Sequence, residues 1–347
     1  MRSLSAAPPS ASRHRHRNQK NVAAALAAGF CLLLLLFPSV ARAQSKPASE
    51  KRFSAKVIYE ALSASNALLW LAEDLGLFEK HGLDVQLIHG RGAMPVQAFV
   101  SGTVEFGAFG GASAIAAALR GSDLVLVAAK PNFMVMSIWT RKDSPTKNVA
   151  DLKGKTIGVS LAGSSTHTIG RLALRKAGIS EKDVKFIFHG TLPDIFVSLG
   201  NGLIDAGVAS APRPGFHELA DLSTERIPFL QGAIEVQNAF LQARRPIVID
   251  FLKGYVESIK IAREKPDLAV GAIVKRLRMK ADAARVAYRA FANVWEEIPY
   301  VRSESVQAIL DLHPREAVKN VTPEKFIDHS PLKQLEDSGF IRDLYRK

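Results

Sequence analysis

The sequence has almost no cysteine, with a single residue, Cys31, among 347. One cysteine excludes a structural disulfide framework and any zinc site built from two or more cysteines. With 47% hydrophobic and 23% charged residues, the chain is too apolar to be a disordered protein. Its length allows about two domains of ordinary size, at roughly 150 residues each.

The first 43 residues contain no acidic side chain, although they contain six basic ones. An apolar run follows at residues 22–37, and an A-x-A sequence ends at Ala43. This order predicts a secretory signal peptide over residues 1–43, cleaved after Ala43. A membrane anchor is the alternative, but about 16 apolar residues fall short of the roughly 20 that span a bilayer. We therefore expect an exported protein, with a polar linker at residues 44–51 before the folded part.

The remaining 304 residues carry 40 basic and 33 acidic side chains, a formal charge of +7. These charges are scattered along the chain rather than gathered in a stripe, so we expect no nucleic-acid partner. The sequence also lacks a G-x-S-x-G elbow, a G-x-x-x-x-G-K-[ST] phosphate loop and a dinucleotide-binding G-x-G-x-x-G after a strand. Its histidines show no metal-binding spacing. We therefore predict no enzyme activity, no cofactor and no metal.

Short β-type runs alternate with helical segments from residue 56 onward, a pattern typical of parallel sheets covered by helices. The second half repeats the first at a spacing of 100 residues. The matched pairs are His89 and His189, Gly90 and Gly190, Gly102 and Gly202, and Gly107 and Gly207. From Pro246 onward the pattern is helical. The sequence therefore predicts an α/β protein with two similar lobes and a helical C-terminal third.

Small and hydroxyl-bearing residues follow the predicted strands, where ligands of parallel α/β sheets bind. Ser and Thr also cap helices, so any one of them has a structural alternative. A helix N-terminus favours an anion, and an arginine that follows a strand can clamp one or can simply be a solvated surface residue. The predicted ligand-binding residues are Ser63, Ser65, Asn66, Arg91, Gly92, Gly110, Gly111, Gly163, Ser164, Ser165, Thr166, Thr191 and Arg213.

Four stretches of the sequence resemble periplasmic substrate-binding proteins of the nitrate/sulfonate/taurine type, which serve ABC importers. They are LAEDLGLFEKHGLDV at residues 71–85, SGTVEFG at 101–107, DLKGKTIGV at 151–159 and GLIDA at 202–206. The resemblance covers most of the mature chain. Together the four motifs are quite specific for the family and only weakly specific for the ligand.

The resemblance implies a two-lobed periplasmic binding protein fold of type II, with a mostly parallel sheet in each lobe, a cleft and a two-segment hinge. Lobe I would comprise residues 52–138 and 237–347, and lobe II residues 139–236. The implied function is capture of a small solute, which the residues suggest is a sulfonate, carboxylate or nitrate-like anion. Its implied partner is an inner-membrane ABC permease, and we expect the binding protein to be a monomer.

Two alternatives remain at this point. The protein could deliver its solute to a sensor or to another kind of carrier. It could also be an enzyme like the fungal thiamine-pyrimidine synthase, which shares the fold. That enzyme uses a cysteine-rich motif, and this chain has no cysteine after position 31.

Overall fold

The computed structural model describes residues 52–210, 215–224 and 226–346. The predicted signal peptide, its cleavage point, the linker and Arg213 lie outside these residues. The strands are β1 (Phe53–Tyr59), β2 (Leu83–His89), β3 (Phe106–Ala108), β4 (Leu124–Ala129), β5 (Ser137–Arg141), β6 (Thr156–Val159), β7 (Lys185–Phe188), β8 (Ala206–Ala209), β9 (Phe216–Asp221) and β10 (Ala233–Gln237).

Helices follow most of these strands, as the alternating pattern predicts. They are α1 (Ala67–Asp74), α2 (Leu77–Lys80), α3 (Met94–Val100), α4 (Gly111–Leu119), α5 (Ser165–Lys176), α6 (Leu192–Gly200), α7 (Asn238–Glu264), α8 (Pro266–Leu277), α9 (Ala281–Ala292), α10 (Ser303–Leu310), α11 (Ser330–Asp337) and α12 (Phe340–Tyr345). Among the described residues, none of these helices is both long and apolar enough to cross a membrane.

The strands form two five-stranded sheets with the same internal arrangement. The first has the order β2-β1-β3-β10-β4, and the second has the order β7-β6-β8-β5-β9. In the first sheet β1 is parallel to β2 and β3, and β10 is antiparallel to both of its neighbours. In the second sheet β6 is parallel to β7 and β8, and β5 is antiparallel to both of its neighbours. The two-lobed repeat seen in the sequence is therefore also a repeat of topology.

The chain passes between the two sheets twice. Strand membership puts these passages at residues 130–136 and 222–232, because β5 begins at Ser137 and β10 begins at Ala233. The lobe boundaries expected from the sequence, 139–236 for lobe II and the rest for lobe I, stay a prediction. A division that follows the sheets would move the last strand of that range, β10, into lobe I.

The C-terminal helices pack on the first sheet. Phe251 of α7 stacks on Phe106 of β3 with ring centroids 4.2 Å apart, and on Phe78 of α2 at 4.8 Å. All three rings are almost fully buried. Helix α7 bends at Arg244, which has φ −134°, because Pro246 cannot donate a backbone hydrogen bond and its ring crowds the preceding turn. The bend lets the long helix follow the surface of the core.

Candidate functional site

A cavity lies where the loops of the two sheets meet. The volume that the centre of a water molecule can reach inside it is about 40 Å³, which is enough for a few non-hydrogen atoms. The first sheet and its connections contribute Glu60, Ala61, Ser63, Ser65, Gly110, Lys130, Met136 and Gln231. The second sheet contributes Ser160, Leu161, Ser164, Ser165, Thr166, Gly190, Thr191, Leu192 and Ser210. The walls therefore come from both halves of the repeat, in nearly equal numbers.

More than half of the residues predicted from the sequence line this cavity. They are Ser63, Ser65, Gly110, Ser164, Ser165, Thr166 and Thr191. They meet here because each follows a strand, and the carboxyl ends of parallel strands open onto the same edge of a sheet. Their contact with a ligand stays a prediction.

Asn66, which was also predicted, lies outside the cavity wall but supports a group that lines it. Its Nδ2 donates to the carbonyl of Ala61 at 2.7 Å, and its Oδ1 accepts from Lys130 Nζ at 2.7 Å. Asn66 thus holds the buried lysine in place.

The predicted glycines divide between cavity and backbone roles. Gly92 and Gly163 have φ of +62° and +74°, a left-handed conformation that glycine adopts without strain. Gly111 packs so tightly that an added Cβ would lie 2.2 Å from the carbonyl oxygen of Leu230. None of these three glycines lies on the cavity wall, where Gly110 is the one predicted glycine.

Arg91, one of the two predicted arginines, is not part of the cavity wall. Arg91 Nη2 donates to Asp194 Oδ2 at 2.6 Å, joining the loop after β2 to helix α6. Arg213 lies outside the described residues. The ion pair therefore links the two halves of the repeat next to the cavity, and it occupies the guanidinium that was expected to clamp an anion.

The N-terminus of α5 is held by Ser164, whose hydroxyl is fully engaged. Its Oγ accepts from the backbone N–H of His167 at 3.4 Å, from Ser160 Oγ at 2.9 Å, and donates to the carbonyl of Leu161 at 2.8 Å. The next residue differs, because Ser165 Oγ is buried and has no hydrogen-bond partner within the part of the chain that the structure describes. Ser164 is therefore the cap of α5, and Ser165 is the hydroxyl left for an occupant of the cavity.

Two charged residues of the cavity were missed by the sequence analysis, Glu60 and Lys130. Glu60 follows β1 directly, and its Oε1 accepts from the N–H of Gly110 at 2.8 Å and from Ser113 Oγ at 3.2 Å. Its Oε2 is enclosed and has no partner, although the residue as a whole is partly exposed. Burial raises the pKa of the Glu60 carboxyl, and the Gly110 N–H and the charge of Lys130 oppose that rise.

Lys130 belongs to a second buried network beneath the cavity. Burial lowers the pKa of Lys130 to about 8 and raises the pKa of Glu235 to about 8, while the attraction between the two charges opposes both shifts. Glu235 Oε2 accepts from the N–H of Phe109 at 3.1 Å. Strand β10 therefore places an ionisable side chain, that of Glu235, near Lys130 beneath the cavity.

The loops of the two sheets touch in this structure. A Cβ added to Gly110 would lie 2.5 Å from Ser165 Oγ, on the second sheet's side, and 2.9 Å from Glu60 Oε1. The Arg91–Asp194 ion pair adds a second contact. Within the described residues, no group of three His, Cys, Asp or Glu side chains could hold a metal ion.

A family model described as NMT1/THI5 like matches residues 64–269, which is more than half of the chain. The chain belongs to the NMT1/THI5-like family. The resemblance to substrate-binding proteins drawn from residues 71–85 and the three later motifs is thereby confirmed. The matched region contains every lining residue of the cavity except Glu60, Ala61 and Ser63.

A protein of Brucella abortus that is named as a binding protein is 34% identical over 157 residues, or 45% of this chain. The match spans about half the length, 46%, of that curated relative. The periplasmic aliphatic sulphonate-binding protein SsuA from Escherichia coli superposes with a TM-score of 0.58 and 20% identity, over 85% of this chain and 89% of SsuA.

The periplasmic nitrate-binding protein NrtA from Synechocystis superposes with a TM-score of 0.68 and 13% identity, over 86% of this chain and 92% of NrtA. At such identities these superpositions establish the fold. They confirm the type II periplasmic binding protein fold that the sequence predicts.

Proposed function

We propose that this protein is the exported solute-binding component of an ABC importer. It would capture a small polar solute between its two sheets, as a monomer in the periplasm, and deliver it to an inner-membrane permease. The observation that carries the proposal is the cavity itself, whose walls come from strand ends of both sheets. The names of the family relatives as binding proteins support the same conclusion.

The mechanism follows from the contacts between the sheets. A solute held first by one set of loops gains further contacts when the loops of the other sheet close over it and expel water. Closure is favoured only by the contacts that the solute gains in the closed state. The contact of Gly110 with Ser165 and the pair of Arg91 with Asp194 would then belong to that closed state.

The sequence-based preference for an anion stays a prediction. The N-terminus of α5 supports it, because the first backbone N–H groups of a helix attract negative charge. Arg91 no longer supports it, since its guanidinium is paired with Asp194.

The direct test is a thermal-shift screen of residues 44–347 against sulfonates, carboxylates, nitrate, amines and pyrimidines. A solute at ~100 times its Kd raises the unfolding free energy by about 2.7 kcal/mol, a readily measured shift. Replacing Ser165 with Leu should abolish the shift while the protein stays folded. If no solute in the screen shifts folded, ligand-free protein, the binding function is rejected. Mass spectrometry of the exported protein should give an N-terminus at Gln44.

A further inference from the structure

Among the described residues, two buried oxygens at the cavity have no hydrogen-bond partner. They are Glu60 Oε2 and Ser165 Oγ, and Ser165 is only 6% exposed. Buried polar atoms in native proteins are nearly always hydrogen-bonded. Both residues line the cavity and both approach Gly110, so the two oxygens belong to one small region. They are the groups that a bound solute is expected to satisfy.

In its ionised form the Glu60 carboxylate accepts hydrogen bonds and cannot donate them, and a cationic donor favours that form over the protonated one. The nearest cation of the cavity, Lys130, already donates to Asn66 Oδ1 at 2.7 Å and makes no hydrogen bond to Glu60. An N–H group of the solute would fill this role, and a positively charged one would also offset the burial that disfavours the ionised carboxyl. A solute with only acceptor atoms would leave Glu60 Oε2 facing another acceptor.

A larger groove adjoins the cavity and shares Glu60 and Leu161 with it. Its volume is about 550 Å³, within the ordinary range of roughly 300–1,000 Å³ for ligand sites. Helices α3 and α4 contribute apolar side chains that include Val96, Val100 and Ala116, and residues 161–163 and the charged Arg120 also line the groove. The inner cavity admits only a few atoms, so a solute with an apolar body has room for that body only in this groove.

We propose that the solute donates an N–H hydrogen bond from an amine or amidine nitrogen to Glu60 Oε2, and lays an apolar body in the groove between α3 and α4. This inference rests on the proposed binding function and specifies the chemical class of its solute. It differs from the sequence-based expectation of a simple anion.

Titration calorimetry of residues 44–347 with benzylamine, benzyl alcohol and benzoate tests the inference. The three probes share an apolar ring and differ in the polar group. We expect benzylamine to bind at least tenfold more tightly than the other two, and Glu60→Gln to weaken it at least tenfold. Ala116→Phe, which fills the groove, should weaken it as much. Ala283→Phe is the matched control and should not change the affinity, because it lies on helix α9, none of whose residues lines the cavity or the groove.

Circular dichroism and thermal unfolding check that each variant is folded. Tighter binding of benzoate than of benzylamine, or unchanged benzylamine affinity in folded Glu60→Gln, overturns the inference and leaves the binding function intact. Failure of all three probes also overturns it, and the broader solute screen then decides the binding function separately. Loss of benzylamine binding in Glu60→Gln but not in Ala116→Phe would remove the groove from the proposal.

Discussion

Gly110→Ala is the substitution that most directly probes contact between the two sheets. Gly110 has φ −69° and ψ 138°, which any residue adopts, so alanine introduces no backbone strain there. The added Cβ would nevertheless lie 2.5 Å from Ser165 Oγ, about 0.9 Å short of the 3.4 Å at which ordinary contact begins. The substitution should therefore oppose the close approach of the loops, and its 2.9 Å approach to Glu60 Oε1 adds a smaller strain within the first sheet's own loops.

The size of the effect follows from the energy of overpacking. An extra methyl group in a well-packed site costs about 1–3 kcal/mol. If the solute binds only when the loops are in contact, its affinity should fall by roughly 5- to 150-fold. Calorimetry with the best solute from the screen measures this loss, and thermal unfolding without solute should show little change. Gly271→Ala, which meets no atom within 4 Å, is the matched glycine control.

A second substitution makes the test specific. Ser165→Ala removes the clashing Oγ and leaves Ser165 Cβ 3.5 Å from the new methyl, an ordinary contact. Because Ser165→Ala itself removes a hydroxyl from the cavity, the double variant is compared with that single variant. Adding Gly110→Ala to Ser165→Ala should cost little further affinity, although Glu60 Oε1 at 2.9 Å from the new methyl still contributes. Unchanged affinity in folded Gly110→Ala would refute the idea that these loops meet in the bound state. An equally large loss when Gly110→Ala is added to Ser165→Ala would refute it too.

Three further predictions concern single groups. Arg91→Ala and Asp194→Ala should each weaken solute binding by less than about fivefold, because exposed ion pairs contribute roughly 0.2–1 kcal/mol. In calorimetry, 0.5 M salt should erase the difference in affinity between each variant and the unmodified protein. Ser164→Ala removes the cap of α5 and should reduce the free energy of unfolding by about 1 kcal/mol, which lowers Tm by roughly 2–4 °C. An unchanged Tm would show that the cap is dispensable. Burial raises the pKa of Glu235 from 4.5 to about 8, so the folded state binds the Glu235 proton more tightly than the unfolded state does. The free energy of unfolding should therefore fall as the pH rises between those two values. Glu235→Gln should flatten that part of the Tm–pH profile, and an equal slope in both proteins would contradict the assignment.

The sequence predicted the parallel parts of the fold well, because they depend on local patterns. Alternating strands and helices identify β1 to β3 and β6 to β8, and residues that follow those strands must share an edge. That reasoning brought Ser63, Ser165 and Thr191 to one cavity. The antiparallel strands β5 and β10 instead fall on the expected lobe boundaries, at residues 138/139 and 236/237. Their partners lie far away in the chain, so no local sequence pattern identifies them as strands.

The charged residues of the site show a different limit. Glu60 follows β1 as Arg91 follows β2, so the same signal could have identified both. Only the arginine was predicted to bind the solute, because the expected solute was an anion. That Arg91 meets Asp194, 103 positions later, depends on how the two sheets approach each other. Gln231 lies in a connection without regular structure, and no periodicity singles it out.

The order of strands along the chain means that the two sheets receive their last strands at different times during synthesis. All five strands of the second sheet lie in one continuous stretch, residues 137–221, whereas the first sheet lacks β10 until residue 237 has been made. Until then β3 and β4 have no partner between them. The second sheet can thus be completed first, and residues 137–221 could be exchanged between relatives as one continuous segment. The first sheet could not be transplanted in this way, because its strands come from two separate stretches of the chain, residues 53–129 and 233–237.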